Sequence, residues 1–400
     1  MLTGNLYSQT FFPPGKVADY TGFQYLRDND PSGMGHNTSF VTKVAYNVIN
    51  LLSADQIKQL ADLAVAQQAD FRLYGYKRYT LMKSFRRLLD GSLPTGTTGL
   101  SLSGIKAYSN ALYLVDGQIS YDRAVLYANI IKNMSASQLA VMDGMKGAGW
   151  SGWPEITTAM QVDIDAKMKT LPKDSAVLVM TYAGDIFSWY AGSVDADVYF
   201  CPERRGTYYG GFYMKDAPAI CHEGYAISTT LTAEAGAVLL GLDDANQAAL
   251  GLAPYYITKA QADQMAGLAV TQKNNLYAAT TSIVSVRTQI SSLLRTLLLT
   301  GTDATAVRTQ VLALSGTYGE LDGENNYNYA KVFASVYQSL TDTQKTALTA
   351  LRNSIMKGTY SDGTPFDFSI CSQYYLYSDM VTATDIAAYT SDTVTAALFE

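Results

Sequence analysis

The sequence predicts a mainly α protein: two duplicated helical-bundle or hairpin halves, related by a pseudo-twofold, with a Tyr/Gly-rich extended or short β insertion between them. Three observations predict it. First, "QIKQLADLAVAQ", starting at Gln56, recurs as "QADQMAGLAVTQ", starting at Gln261, with seven of twelve residues identical at an offset of 205. Second, "YDRAVLYANIIKNMSASQ" ends at Gln138 and its partner "YNYAKVFASVYQSLTDTQ" ends at Gln344, at an offset of 206 and in the same order. Two blocks repeated in order at nearly one offset indicate an internal duplication. Third, apolar residues recur at i, i+3 and i+4, as in Leu276, Ile283, Val286, Ile290, Leu293 and Leu297.

The elements follow in chain order. Residues 1–36 form an N-terminal arm, in which "FFPPG" and "DNDPSGMG" carry turn chemistry. Residues 37–150 form the first helical repeat. A helix is expected from Asn37 or Thr38, with Phe40, Val44, Val48 and Leu51 on one face. A long helix follows Ser53 to about Asp90, where "GSLPTGTTG" breaks it, and further helices cover about 101–114, 120–132 and 136–146. Residues 151–231 are expected to be an irregular or β-hairpin insertion, dense in Tyr, Gly and Phe and punctuated by Pro202 and Pro218. It either carries function or covers the seam between the halves. Residues 232–360 form the second helical repeat, and 361–400 a tail of mixed loop and helix.

Each repeated block contains Ser or Thr followed three residues later by Gln: Ser53 and Gln56, Ser135 and Gln138, Thr258 and Gln261, Thr341 and Gln344. This is a capping box. The hydroxyl at N-cap accepts from the N3 amide, and the N3 side chain accepts from the N-cap amide. Leu52 with Ile57, and Met134 with Leu139, supply apolar staples beside two of the boxes.

The four apolar–Ser/Thr–x–x–Gln motifs resemble the LTxxQ motif of the Spy/CpxP family of exported, all-helical stress and metal-response proteins. The resemblance covers roughly residues 40–150 and 245–360. A family monomer carries two such motifs on a bent helical hairpin and pairs into a cradle-shaped dimer. Two motifs per half and two halves per chain would then look like such a dimer fused into one polypeptide. The resemblance implies chaperone-like binding of a partner protein, or a part in an envelope or extracellular assembly.

Composition bounds the alternatives. The chain is 48% hydrophobic and 16% charged with a net charge of −6, enough for a core and unsuited to broad attraction to nucleic acid. No apolar run approaches the ~20 residues of a transmembrane span. Low charge, abundant Ser, Thr, Asn and Gly, and 30 Tyr suit a periplasmic or extracellular protein. Residues 1–35 lack a basic start and an apolar h-region, so the sequence is expected to be a mature form. The expected partners are another protein or further copies of the chain, including a homo-oligomer.

Candidate chemistry is sparse. No Walker loop, dinucleotide fingerprint, G-x-S-x-G or H-E-x-x-H occurs, so no catalytic residue is assigned and an enzyme is not the favoured reading. Arg78 aligns with Ile283 of the second repeat and so falls on an apolar stripe; it either meets a ligand or partner, or reaches from the stripe edge to water. Around it Arg72, Lys77, Lys83, Arg86 and Arg87 form a basic patch without an acid, suited either to an anionic ligand or acidic partner, or to a solvated helix face.

No cofactor is predicted as the main reading. The alternative is a haem- or metal-binding redox protein using Cys221 and His222, in which haem is attached through one cysteine, His36 is a second axial ligand and Arg78 belongs to the cofactor-binding set. Cys201, Cys221 and Cys371 also allow one disulfide, with Cys201–Cys221 the nearest pair.

Overall fold

The computed structural model describes residues 38–146, 153–171, 173–191, 281–355 and 383–400, with scattered positions between Ile257 and Asn275. They are mainly α-helical, as the sequence predicts. Among the described residues, the β feature is an isolated antiparallel bridge between Leu100 and Phe399.

Helix α1 (Thr38–Leu51) starts where expected and buries Val44, Val48 and Ile49. The expected helix after Ser53 is divided into α2 (Ala54–Ala66) and α3 (Gln68–Asp90). Gln67 lies at the break because its side chain is engaged elsewhere: Nε2 donates to the Ile119 carbonyl and Oε1 accepts from the Tyr182 hydroxyl.

The two helices expected at 101–114 and 120–132 are instead one, α4 (Leu102–Lys132). Asp116-Gly117 resembles a turn in sequence, but a tertiary contact holds it helical. A Cβ on Gly117 would lie 2.3 Å from the Ser315 hydroxyl of α9 (Ala304–Ser339). At 31 and 36 residues, α4 and α9 span about 46 and 54 Å.

These helices run antiparallel, and their contacts are reciprocal. Gly117 faces Ser315 while Gly323 faces Ser109, so residues 206 apart exchange roles across the crossing. At its centre a Cβ on Gly319 would lie 2.5 Å from the Ser109 carbonyl and 2.9 Å from Tyr113 Cβ. Tyr113 donates to buried Asp322 at 2.6 Å and stacks at a tilt on Tyr318, while Lys106–Glu324 and Asn110–Glu320 bind the rim.

The rest packs around this pair. Helices α5 (Ala136–Met145), α6 (Thr158–Met168) and α7 (Lys173–Ala191) follow α4. The expected irregular or β-hairpin segment 151–231 is therefore helical over much of its first part; its Tyr/Gly-rich remainder lies outside the described residues. The reason is burial: Leu178, Val179, Tyr182, Ala183, Ile186 and Phe187 pack α7 against α1, α2 and α4. Lys167 of α6 donates to the Ile49 and Asn50 carbonyls, capping the end of α1.

Helix α8 (Ile283–Thr296) keeps the predicted stripe, with Ile283, Val286 and Ile290 buried, and packs on α9. Helix α10 (Asp342–Ile355) follows α9. The expected mixed tail contains α11 (Ala383–Tyr389) and α12 (Asp392–Ala396), both packed on α3.

The crossing predicts opposite effects of one substitution at two glycines. Gly319→Ala should lower stability by about 1–3 kcal/mol, because overpacking against a carbonyl outweighs helix propensity. Gly144→Ala has nothing within 4 Å of its new Cβ and should be neutral or raise stability by up to about 1 kcal/mol. Urea denaturation followed by circular dichroism checks both.

Candidate functional site

All four sequence-predicted capping boxes carry both reciprocal hydrogen bonds. Gln56 N donates to Ser53 Oγ and Ser53 N to Gln56 Oε1; the same pair of bonds joins Ser135 with Gln138, Thr258 with Gln261 and Thr341 with Gln344. The structure adds what the motif alone does not carry. Gln138 Nε2 donates to Gln56 Oε1 at 3.1 Å, and Gln344 Nε2 to Gln261 Oε1 at 2.8 Å. A glutamate at N3 could complete a capping box, but only an amide can also donate across to the neighbouring box. Gln138 further donates to the Leu51 carbonyl at the end of α1.

The basic residues of α3 do not share one open face. Arg72 is exposed, whereas Arg78, Arg86 and Arg87 are buried, and Lys77 and Lys83 are half-buried. Arg78, at 1% exposure, lies in the core with its guanidinium 5.7 Å from the Tyr74 ring centre. Neither a solvated helix face nor an edge-lying Arg78 describes this arrangement. Burial lowers the Lys77 pKa, and its ammonium sits 5.0 Å from the Tyr108 ring. Arg87 donates to the Ser92 and Asp392 carbonyls and, at 2.7 Å, to the Thr395 hydroxyl. The acidic partner of this part of the patch is thus Asp392 of the chain's own C-terminal segment, at 3.5 Å.

A second polar centre was not foreseen from sequence. Arg123 and Asp185 are fully buried and paired at 3.3 Å, and Tyr127 donates to the same carboxylate oxygen at 3.1 Å. The Arg123 guanidinium also lies 4.6 Å from the Tyr182 ring centre. Burial first, and then the Asp185 charge, raise the Tyr127 pKa well above its ordinary value, so its hydroxyl stays protonated as a donor. This network ties α7 to α4 and to the Gln67 break. It is closed to solvent and therefore structural.

One accessible feature among the described residues is a groove of about 670 Å³ between α2, α4 and the α8–α9 turn. Leu63, Ala66, Leu126, Ala128 and Leu297 contribute apolar lining. Val125 and Leu299 also line it and stand out of the core at 38% and 62% exposure. Asp122 lies toward one end and Lys132 toward the other, ten residues along α4 and so about 15 Å apart. Gly301 shapes the turn with φ of 81°, a left-handed conformation that favours glycine.

Asp122 accepts from Gln118 at 2.8 Å. Its pKa is raised, first by desolvation and then by Asp70; the Gln118 bond and the Arg308 charge oppose the shift. Lys132 reaches the Leu299 carbonyl at 3.4 Å. Such an arrangement can hold an apolar segment and orient it by charge. The available sequence signal was Val125, which aligns with Lys331 in the repeat and stands on the exposed side of α4.

His36, Cys221 and His222, proposed as haem ligands, and Cys201 and Cys371 lie outside the described residues. Among the described residues no group of three or more His, Cys, Asp or Glu could hold a metal ion, and no helix is long and apolar enough to cross a membrane.

Two predictions follow from the buried polar contacts. Gln138→Glu retains the capping-box acceptor but sets a carboxylate against the Gln56 and Leu51 oxygens, destabilising the fold by about 1–3 kcal/mol at pH 7. Those oxygens raise the folded-state pKa of the new acid above its unfolded value, so the loss should diminish as pH falls through that folded pKa; urea titrations at pH 7 and 4 check it. Asp185→Ala should cost about 3–5 kcal/mol by removing the carboxylate paired with buried Arg123, while Arg123→Met combined with Asp185→Leu should cost less than the two single changes together. Thermal unfolding of the four proteins measures that coupling. Comparison with protein-family models, curated proteins and solved structures finds no match to the chain.

Proposed function

We propose that the chain is an exported, Spy/CpxP-like helical binding protein that acts in a chaperone-like way on apolar segments of partner proteins. The observation that carries this reading is the apolar groove, where Val125 and Leu299 are presented to solvent rather than to the core. Apolar side chains grouped in a concave site suit recognition better than scattered surface residues do.

The capping-box glutamines support the family resemblance. In both pairs, the glutamine of the later motif donates to that of the earlier one. The duplicated body would thus hold its helix ends together in the same way twice. Its fixed helical walls pre-order the groove and lower the entropy lost on binding.

The test is light scattering during the aggregation of chemically denatured citrate synthase diluted into buffer. The chain should slow aggregation at near-equimolar ratio, with an equal amount of bovine serum albumin as control. Unchanged scattering at a severalfold excess of the chain would sink the chaperone-like reading.

A further inference from the structure

We infer that the groove is a single, charge-oriented docking site for a short helix of a partner protein, with a cation at one end of its apolar face and a carboxylate at the other. The inference rests on the binding reading above and names the chemistry of the occupant. Two lines carry it: the charges at the groove ends, and a comparison within the chain itself.

Asp122 and Lys132 bracket the groove about 15 Å apart, the length of about ten helical residues. A helix laid along α4 can place leucine-sized groups against Val125, Leu126 and Leu299 through i, i+3, i+4 and i+7 anchors. A lysine or arginine at one end then meets Asp122, and a carboxylate at the other meets Lys132. Arg308 bonds Gln118 and sets its charge beside Asp122, and Asp303 caps α9, so an occupant's cation at this end joins a carboxylate that one arginine already faces. Opposite charges fix the occupant's direction and penalise one with two like-charged ends.

The second repeat shows that the fold does not require this surface. At an offset of 206, Val125 corresponds to Lys331, Asp122 to Asn328 and Lys132 to Gln338. Lys331 places its ammonium 5.1 Å from the Tyr327 ring centre, and Gln338 donates to the Leu88 carbonyl. Equivalent positions on the matching long helix α9 therefore accept polar side chains. The exposed valine and the pair of charges belong to one half, which gives one site per chain.

The experiment uses the full chain and fluorescent, end-blocked, helix-stapled peptides of about ten residues with leucines on one face. One peptide carries Lys and Glu at its two ends and another carries Glu at both. Fluorescence anisotropy should show one Lys/Glu peptide bound per chain. Val125→Lys, which introduces the residue of the second repeat, should weaken it about tenfold or more with the melting temperature unchanged. Asp122→Lys should weaken the Lys/Glu peptide and strengthen the Glu/Glu peptide.

Two bound peptides per chain, indifference to Val125→Lys, or no exchange of preference in Asp122→Lys would overturn the proposal. So would concentration-dependent growth in particle size that Val125→Lys abolishes, which would make a second copy the occupant. If no peptide binds while aggregation of citrate synthase is still suppressed, the site inference fails and the binding reading stands. If the peptides bind as expected and aggregation is unaffected, the site inference stands and the chaperone-like reading fails.

Discussion

The space beside Gly319 is occupied by the carbonyl of Ser109, and the architecture depends on that close approach. Two helices of 31 and 36 residues cross where Gly117, Gly319 and Gly323 leave room for backbone and serine. Glycine in a helix has a propensity penalty of about 1 kcal/mol relative to alanine, so each is a local loss unless packing recovers it. Here it does. Close approach brings Tyr113 to Asp322 and Tyr318, and aligns the Lys106–Glu324 and Asn110–Glu320 pairs along the rim.

A core assembled around long helices contains much that is not hydrocarbon. Arg78, Arg123 and Arg287 are among its largest fully buried side chains, and tyrosines stand beside them. Such groups are tolerated because they find charges, hydroxyls or ring faces within the protein. The Arg123–Asp185–Tyr127 cluster shows the consequence. It adds specificity to the seating of α7, since sliding that helix would leave a charge stranded in a dry interior. The C-terminal segment is seated by related means: Tyr76 donates to Asp385, Thr80 to the Tyr389 carbonyl, and Arg87 to Thr395.

The groove arises from the same scaffold. Helix α4 is long enough for one end to cross α9 while its other end passes α2 and the α8–α9 turn. Tyr121 and Lys132 of α4 bond the Ala304 and Leu299 carbonyls at the two ends of the turn, and the Leu299 side chain stands at the mouth instead of in the core. Rigid helices thereby hold an apolar recess open without committing it to internal packing. The glutamine joints lie at the helix starts, so the packed ends and the accessible recess are separate features of the fold.

The sequence by itself determined the helical class and the four capping boxes, because these depend on local spacing and hydrogen bonds within four residues. It also located the start of α1 and the apolar stripe of α8. It expected a break within the continuous helix α4, since whether Asp116-Gly117 turns or stays helical depends on Ser315, distant in the chain and adjacent in space. Periodicity placed Arg78 on an apolar stripe, but only tertiary structure decided that it lies fully inside and that Arg87 meets the C-terminal segment. The groove likewise joins α2, α4 and a turn near residue 300, and no local pattern records that three such segments will leave an apolar surface uncovered. Local rules specify where helices begin and which faces are apolar; long-range packing decides which of those faces become core and which become a site.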